Sequence, residues 1–224
     1  MAWQCSGRTN IELVNNLKRN GIFTDERVEA AMLKIDRGDF APFTPYGDHP
    51  VSIGYGATIS APHMHAHSLQ TLKDHLKEGA KVLDVGSGSG YLTACMAEMV
   101  GNTGKVIGID HIPELIELAV NNTRKNHDEL IESGRLKYVV GDGREGYAPC
   151  APYNAIHVGA AAPKLPEKLV EQLAKGGRML VPIGASQLYQ RYVQIDKCEG
   201  GSIKTTDLMG VVYVPLTDKE NQVD

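Results

Sequence analysis

The sequence predicts a doubly wound α/β fold, with a central, mostly parallel sheet covered by helices on both faces, N-terminal cover helices and an antiparallel C-terminal edge hairpin. Three observations predict it. From residue 62 onward, short apolar runs alternate with helical patterns; one run empties into the turn Gly86-Ser87-Gly88-Ser89-Gly90; and the last strand-like segments abandon the alternation. Strands apolar along their whole length are buried on both faces, as in a parallel sheet sandwiched by helices.

The elements follow in order. Ile11, Val14 and Leu17 make an apolar stripe on a helix over residues 9–20, and Val28, Met32 and Ile35 make another over 24–37. Residues 40–59 hold Pro42, Pro45, Gly47, Pro50, Gly54 and Gly56, a long connection that reads as a binding loop. Pro62 suits the first turn of a helix running toward Leu76. Strands are expected at 81–85, 105–110, 136–141, 155–158 and 178–182, with helices at 91–100, 113–126 and 166–174 between them. Residues 189–197 and 208–216 read as hairpin arms around Glu199-Gly200-Gly201-Ser202, and the last eight residues as a polar, mobile tail.

At 224 residues the chain has the length of one large domain. Residues 1–60 form its helices and substrate loop, 61–184 its α/β core, and 185–224 its edge hairpin and tail. A net charge of -4 with no basic cluster argues against nucleic acid. Cys5, Cys95, Cys150 and Cys198 form no C-x-x-C pair, so neither a zinc knuckle nor a dithiol motif is expected. Residues 1–5 lead into charged sequence without an apolar stretch, and no run has the length of a membrane span. A cytoplasmic chain with no membrane partner is the expectation.

Glycines at 86 and 88 let backbone approach a ligand where a strand end meets a helix N-terminus. A dinucleotide fingerprint would place its third glycine at position 91, which is Tyr91. Asp84, two residues before the turn, would repel a pyrophosphate but hold an ammonium group or a water serving it. Asp110 ends the second strand twenty residues after Gly90, where a carboxylate can accept both ribose hydroxyls; it could equally cap the helix near Pro113. Asp142 and Gly143 end the third strand, with an acceptor for an adenine amino group and a backbone N–H for a ring nitrogen. The three acids follow the order of the methionine, ribose and adenine parts of S-adenosylmethionine, and here the motifs resemble Rossmann-like methyltransferases.

Three segments narrow the resemblance: residues 57–66 (ATISAPHMHA), Asp142-Gly143-Arg144 with residues 155–161 (AIHVGAA), and residues 210–216 (GVVYVPL). They resemble the protein-L-isoaspartate O-methyltransferases, and the similarity covers essentially the whole chain. It implies methyl transfer from S-adenosylmethionine, leaving S-adenosylhomocysteine, to the free α-carboxylate of L-isoaspartyl residues in damaged proteins, starting repair through a succinimide. D-aspartyl sites and a monomeric state are further expectations. The resemblance implies cofactor contacts from Ala57, Thr58, Ile59, Ser60, His65, Asp84, Gly86, Ser87, Gly88, Asp110, His111, Asp142, Gly143, Thr217 and Gln222. It marks Ser60 as catalytic, and Ile59, Ser60, Val212, Val214 and Leu216 as the substrate wall.

His63, His65 and His67 invite a metal, but residues two apart on a helix point to opposite sides, so none is expected. Ser60 could also cap the helix after Pro62. Competing readings are a small-molecule O-methyltransferase, which would want a metal or base near the sulfonium, a nicotinamide-dependent reductase, opposed by Tyr91 and Asp84, and a cofactor-binding adaptor without catalysis.

Overall fold

The structure is a computed structural model and describes residues 5–184, 189–218, 220 and 222. The expected absence of a leader at residues 1–4, and the tail expectation at 219, 221 and 223–224, lie outside the described residues, as do 185–188 between core and hairpin.

Two short helices open the chain. In α1 (Asn10–Arg19) the Thr9 side chain caps the N-terminus by accepting from the Glu12 N–H, and in α2 (Glu26–Lys34) Asp25 caps by accepting from Arg27. Leu13, Val14 and Leu17 of α1 and Val28 and Met32 of α2 are buried. The second helix ends earlier than its apolar stripe predicts: Ile35 is extended, and Arg37–Asp39 form a separate 3-10 turn capped by Asp36. The loop after it is also more ordered than a bare connection, since β1 (Val51–Gly54) and β2 (Ala57–Ile59) pair antiparallel.

The α/β core then follows: α3 (Pro62–Leu72), β3 (Lys81–Val85), α4 (Tyr91–Met99), β4 (Lys105–Asp110), α5 (Pro113–Arg124), α6 (Asp128–Glu132), β5 (Leu136–Val140), β6 (Tyr153–Val158), α7 (Glu167–Gln172), β7 (Leu173–Ile183), β8 (Gln190–Lys197) and β9 (Ile203–Val211). The large sheet has the order β5-β4-β3-β6-β7-β8-β9. It is parallel from β5 to β7 and antiparallel from β7 to β9. The switch point beside β3 and β6 is where such sheets bind ligands.

Alternation along the strands sends side chains into two cores. Val82, Val106, Ala155 and Leu180 join α1, α2, α3 and α4 on one face. Leu83, Val85, Ile107, Ile109, Ile156 and Val158 form the other with Leu169 of α7. Truncating the fully buried Leu83 to Ala would cost about 2–5 kcal/mol.

Two further boundaries, in the second half of the chain, differ from the sequence expectations. The helix predicted over 166–174 stops at Gln172, because the chain is already pairing with β6 at Leu173↔Tyr153. The second hairpin arm is β9 at Ile203–Val211, not 208–216. The Cys198 N–H donates to the Ser202 carbonyl at 2.8 Å, and this tight turn starts the pairing at Lys197↔Ile203. Residues 212–216 leave the edge and lie against Ala161, whose N–H donates to the Val214 carbonyl and whose carbonyl accepts from Leu216.

Candidate active site

Three strand ends converge on one cleft. After β3, Gly86 and Gly88 take φ of 74° and 52°, left-handed values that a side chain would strain. The Gly86 and Ser87 N–H groups donate to the Ile109 carbonyl at 2.8 and 3.2 Å, and Gly159 donates to Val85 at 2.8 Å. The ends of β3, β4 and β6 are thereby tied together. The resulting cleft, about 560 Å³ and open to solvent, is lined by Ala57, Thr58, Gly86, Gly88, Asp110, His111, Asp142, Gly143, Leu216, Thr217 and Gln222.

Asp110 Oδ2 accepts from the Gly88 N–H and Oδ1 from the Ile112 N–H, both at 3.2 Å. It therefore fastens the glycine turn to the chain entering α5, while each oxygen keeps a lone pair for a further donor. Burial raises its pKa above the usual aspartate value. The Asp142 carboxylate is gripped by Arg144, whose Nε lies 2.9 Å from Oδ1, and these bonds lower its pKa. Arg144 also bonds Asp218 in the tail. His111 Nε2 and Gln222 Oε1 are 2.6 Å apart, and the Gln222 amide donates to the Tyr55 carbonyl at 3.0 Å. The tail thus crosses the cleft.

An inner cavity continues from the cleft, lined by Thr58, Ile59, Ser60, His65, Asp84, Ser87 and His157. The register pairs Asp84 with His157, which puts the two side chains next to each other on one face. Asp84 Oδ1 lies 2.8 Å from His157 Nδ1, and Oδ2 accepts from the Thr93 hydroxyl at 2.6 Å. Each Asp84 oxygen has one partner and keeps a lone pair, so the carboxylate and the histidine both present polar atoms to the cavity. The Ser87 hydroxyl is buried without a hydrogen-bond partner among the described residues.

On the far side of Ser60 lies a mostly apolar groove formed by Pro50, Thr58, Ser60, His63, Met64, Met209, Val212, Tyr213 and Val214. Ser60 does not cap α3: the cap residue is Ala61, and no side chain makes a cap bond. Instead its carbonyl accepts from Arg37 at 2.9 Å, and its hydroxyl interacts with that of Tyr213. Tyr213 is placed by a two-point clamp, its N–H donating to Gln190 Oε1 at 2.6 Å and its carbonyl accepting from Gln190 Nε2 at 3.0 Å.

The structure brings every sequence-nominated residue to these three connected spaces. Val212 and Val214 line the groove, whereas Leu216 sits at the cleft beside Thr217. The three neighbouring histidines diverge: His63 meets Asp48, His65 meets Arg37, and His67 packs on Tyr192. Among the described residues, no group of three His, Cys, Asp or Glu side chains is arranged to hold a metal ion. Sequence reasoning misses Arg37, His157, Gln190 and Tyr213. His157 is recoverable, since pairing β3 with β6 places it opposite Asp84; the other three act across long separations that no local pattern marks.

A sequence model of the family described as protein-L-isoaspartate(D-aspartate) O-methyltransferase matches residues 8–221. The Caenorhabditis elegans protein-L-isoaspartate O-methyltransferase is 54% identical over 222 residues, covering 99% of this chain and 98% of the relative. Protein-L-isoaspartate O-methyltransferase 1 of Arabidopsis thaliana is 50% identical, with coverage of 96% and 94%. Among solved structures, a Plasmodium falciparum protein described as a protein-L-isoaspartate O-methyltransferase, in complex with S-adenosyl-L-homocysteine, superposes with a TM-score of 0.87. It is 37% identical, with 94% of this chain and 99% of that one covered.

Proposed function

The chain belongs to the protein-L-isoaspartate(D-aspartate) O-methyltransferase family, and from that premise we propose how its residues divide the work. The enzyme transfers a methyl group from S-adenosylmethionine to isoaspartyl sites in proteins, the first step of their repair. One observation carries the assignment of the site: Ser60 lines both the inner cavity of the cofactor cleft and the groove on its other side. A group held in the groove at Ser60 faces a group held in the cavity.

The cofactor supplies a methyl group on a cationic sulfonium. Asp110 holds the ribose hydroxyls with its free lone pairs. Gly143 and the Arg144-gripped Asp142 meet the adenine edge. Ser87 supplies an orphan hydroxyl near the methionine end. Thr217 and Gln222 close the cleft from the tail.

The peptide lies along the groove, against Val212 and Val214, held largely through main-chain groups, as extended peptides are at sheet edges. The α-carboxylate of an isoaspartyl residue resembles a chain terminus, with a pKa of roughly 3.3–3.7, so it is already ionised at neutral pH. No general base is needed. Ser60 donates a hydrogen bond that orients the carboxylate, and the enclosing walls exclude water while two charges neutralise each other. The resulting ester closes to a succinimide without further help.

Residues 1–60, 61–184 and 185–224 act as parts of one methyltransferase domain. D-aspartyl sites, named in the family description, are accepted as well. Four free cysteines suit a reducing compartment, and we place the enzyme in the cytoplasm as a monomer without nucleic-acid or membrane partners; no helix among the described residues is long and apolar enough to cross a membrane.

The test is labelled S-adenosylmethionine offered with two peptides differing only in an aspartyl or isoaspartyl linkage. Label is expected in the isoaspartyl peptide alone; equal labelling, or none, defeats the assignment.

A further inference from the structure

An anionic carboxylate at Ser60 meets no net positive charge in the walls around it. Among the described residues, neither the groove nor the inner cavity is lined by a lysine or an arginine. His63 at the groove is paired with Asp48, and His157 at the cavity with Asp84. Neither pair brings a net positive charge, whichever partner holds the proton between them. Burial, and then the nearby Arg37, lower the His65 pKa well below the ordinary histidine value, so that ring is neutral too. Attraction for an anion has to come from behind the wall.

The charge behind the wall is Arg37. Its side chain has no exposed surface, and burial lowers its pKa only to about 10, so it is a cation at neutral pH. A buried charge ordinarily sits against an opposite one. Here no Asp or Glu among the described residues makes an ion pair with the guanidinium. Its neighbours in the chain are occupied elsewhere: Asp36 accepts from the Gly38 N–H and the Tyr46 hydroxyl, and Asp39 from Asn126. Asp48 gives its oxygens to His63 and Cys5. The guanidinium instead donates to the Ser60 carbonyl at 2.9 Å, lies 3.2 Å from His65 Nδ1, and stands 5.4 Å from the centre of the Tyr91 ring. Its Nε is buried without a partner among the described residues. Every contact is with an uncharged group, so the positive charge is left over.

The bond to Ser60 has a local reason. Ser60 follows the last pair of the β1–β2 ladder, Val51↔Ile59, and precedes Ala61, whose carbonyl starts α3 by accepting from Met64. The Ser60 carbonyl falls between a strand and a helix, and Arg37 takes it.

We propose that Arg37 makes the acceptor site select an anion: its leftover charge, delivered at the Ser60 peptide, favours the isoaspartyl carboxylate over a neutral group of the same shape. Arg37 lines neither space, so it is a positioning and specificity residue that acts through Ser60. This role rests on the acceptor reading above. The same field releases the product, because methyl transfer turns the anion into a neutral ester that the guanidinium no longer attracts.

The experiment is calorimetric binding, with S-adenosylhomocysteine saturating, of an isoaspartyl peptide and of the same peptide with its α-carboxylate replaced by a carboxamide. S-adenosylhomocysteine lacks the sulfonium charge, so a preference for the anion comes from the protein. Wild type should bind the carboxylate peptide roughly tenfold more tightly, and about 1 M salt should leave most of that preference, because a buried charge is poorly screened. Arg37→Met should bring the two affinities to within about threefold by weakening the carboxylate peptide alone, and Arg37→Lys should keep part of the preference. Ser60→Ala leaves the guanidinium in place and should keep most of it. A preference that survives in Arg37→Met, or that vanishes in Ser60→Ala, overturns the proposal. So do equal losses for both peptides in Arg37→Met, which a merely structural role would produce. Should the Arg37 variants not fold, wild type and Ser60→Ala decide: the preference must persist in both at high salt, and wild type that binds the two peptides alike overturns the proposal. Wild-type protein that binds neither peptide defeats the acceptor reading itself, a result distinct from binding that ignores the charge.

Discussion

His111 and Gln222 are separated by 111 residues, yet their side chains meet at 2.6 Å in the cleft at the strand ends. Gln222 also reaches the Tyr55 carbonyl, so it joins the end of β4 to the β1–β2 turn. A side chain at Gly56 would lie 2.7 Å from the Gln222 carbonyl, so that turn is shaped to admit the tail.

Deleting residues 217–224 should therefore weaken S-adenosylhomocysteine binding about tenfold, since the closing hydrogen bonds it removes are worth ~0.5–1.5 kcal/mol each. The fold should survive, because none of the described residues beyond 216 belongs to either core. Calorimetry with circular dichroism checks both halves; normal affinity in the truncated protein would leave Thr217 and Gln222 without a binding role.

Gln190 is 4% exposed and spends its whole amide on the Tyr213 backbone. Gln190→Leu leaves the half-buried Tyr213 N–H and carbonyl without their clamp, a loss of about 0.5–1.5 kcal/mol for each hydrogen bond. The Michaelis constant for isoaspartyl peptide should rise several-fold, because Val212 and Val214 ride on the released segment, while cofactor affinity stays near wild type. A change confined to the cofactor constant would contradict the placement of the groove.

The strands of the parallel sheet are legible in the sequence because each is built on a mostly apolar run, and β3 and β4 end where their charged residues and glycines say they do. The acids that we propose for the cofactor stand out because each interrupts or follows an apolar run, and sequence alone leaves helix capping as another use for Asp110. What local sequence does not reveal is pairing over distance. The second hairpin arm lies earlier than its apolar pattern predicts because Ile203–Val211 is polar in alternation, while the more apolar 212–216 segment leaves the sheet to cover the cleft. Arg37 sits in a cover segment 28 residues from His65, and only the folded chain shows that this cation is buried against the site.

Asp110→Ala should weaken S-adenosylhomocysteine binding by about 1.5–3 kcal/mol for each charge-assisted ribose hydrogen bond it removes, less any rescue by water. The variant also frees the Gly88 and Ile112 N–H groups that the carboxylate holds. Asp110→Asn keeps one carbonyl and should fall between the two proteins. Affinity that is the same in all three would sink the ribose assignment.

His65 predicts how stability responds to acid. Its pKa is lowered in the fold, by burial first and then by Arg37. Below pH 6.5 the unfolded chain takes up a proton that the folded ring refuses, so stability is full above that pH and is lost as pH falls toward the folded pKa. His67 and His75 are shifted in the same direction. His65→Gln, whose carbonyl can still accept from Arg37, removes one of these protons. Below about pH 6 its unfolding free energy should fall less steeply than wild type by about 1.4 kcal/mol per pH unit. Urea titrations at about pH 5, 6 and 7 measure the two slopes, and identical slopes would mean that His65 titrates normally.

Ser60 bears on the mechanism itself. Its backbone is held by Arg37 and its hydroxyl reaches that of Tyr213, so removing the hydroxyl should leave the local chain in place. Burial pushes the Tyr213 pKa up to about 12, which keeps that phenol protonated through the working range and unavailable as a base. With the substrate carboxylate already ionised, no base is called for, and the serine has only orientation to contribute. Ser60→Ala should then lower turnover by roughly 10- to 100-fold, equivalent to one or two kcal/mol of transition-state stabilisation, with cofactor affinity nearly unchanged. If the hydroxyl instead moved a proton, wild-type turnover would rise with pH near neutrality and the alanine variant would lack that rise. The nucleophile's pKa lies far below this range, so parallel profiles are expected for the two proteins with isoaspartyl peptide saturating. A limb between about pH 6 and 8 that vanishes with the hydroxyl would replace orientation with proton transfer as the role of Ser60.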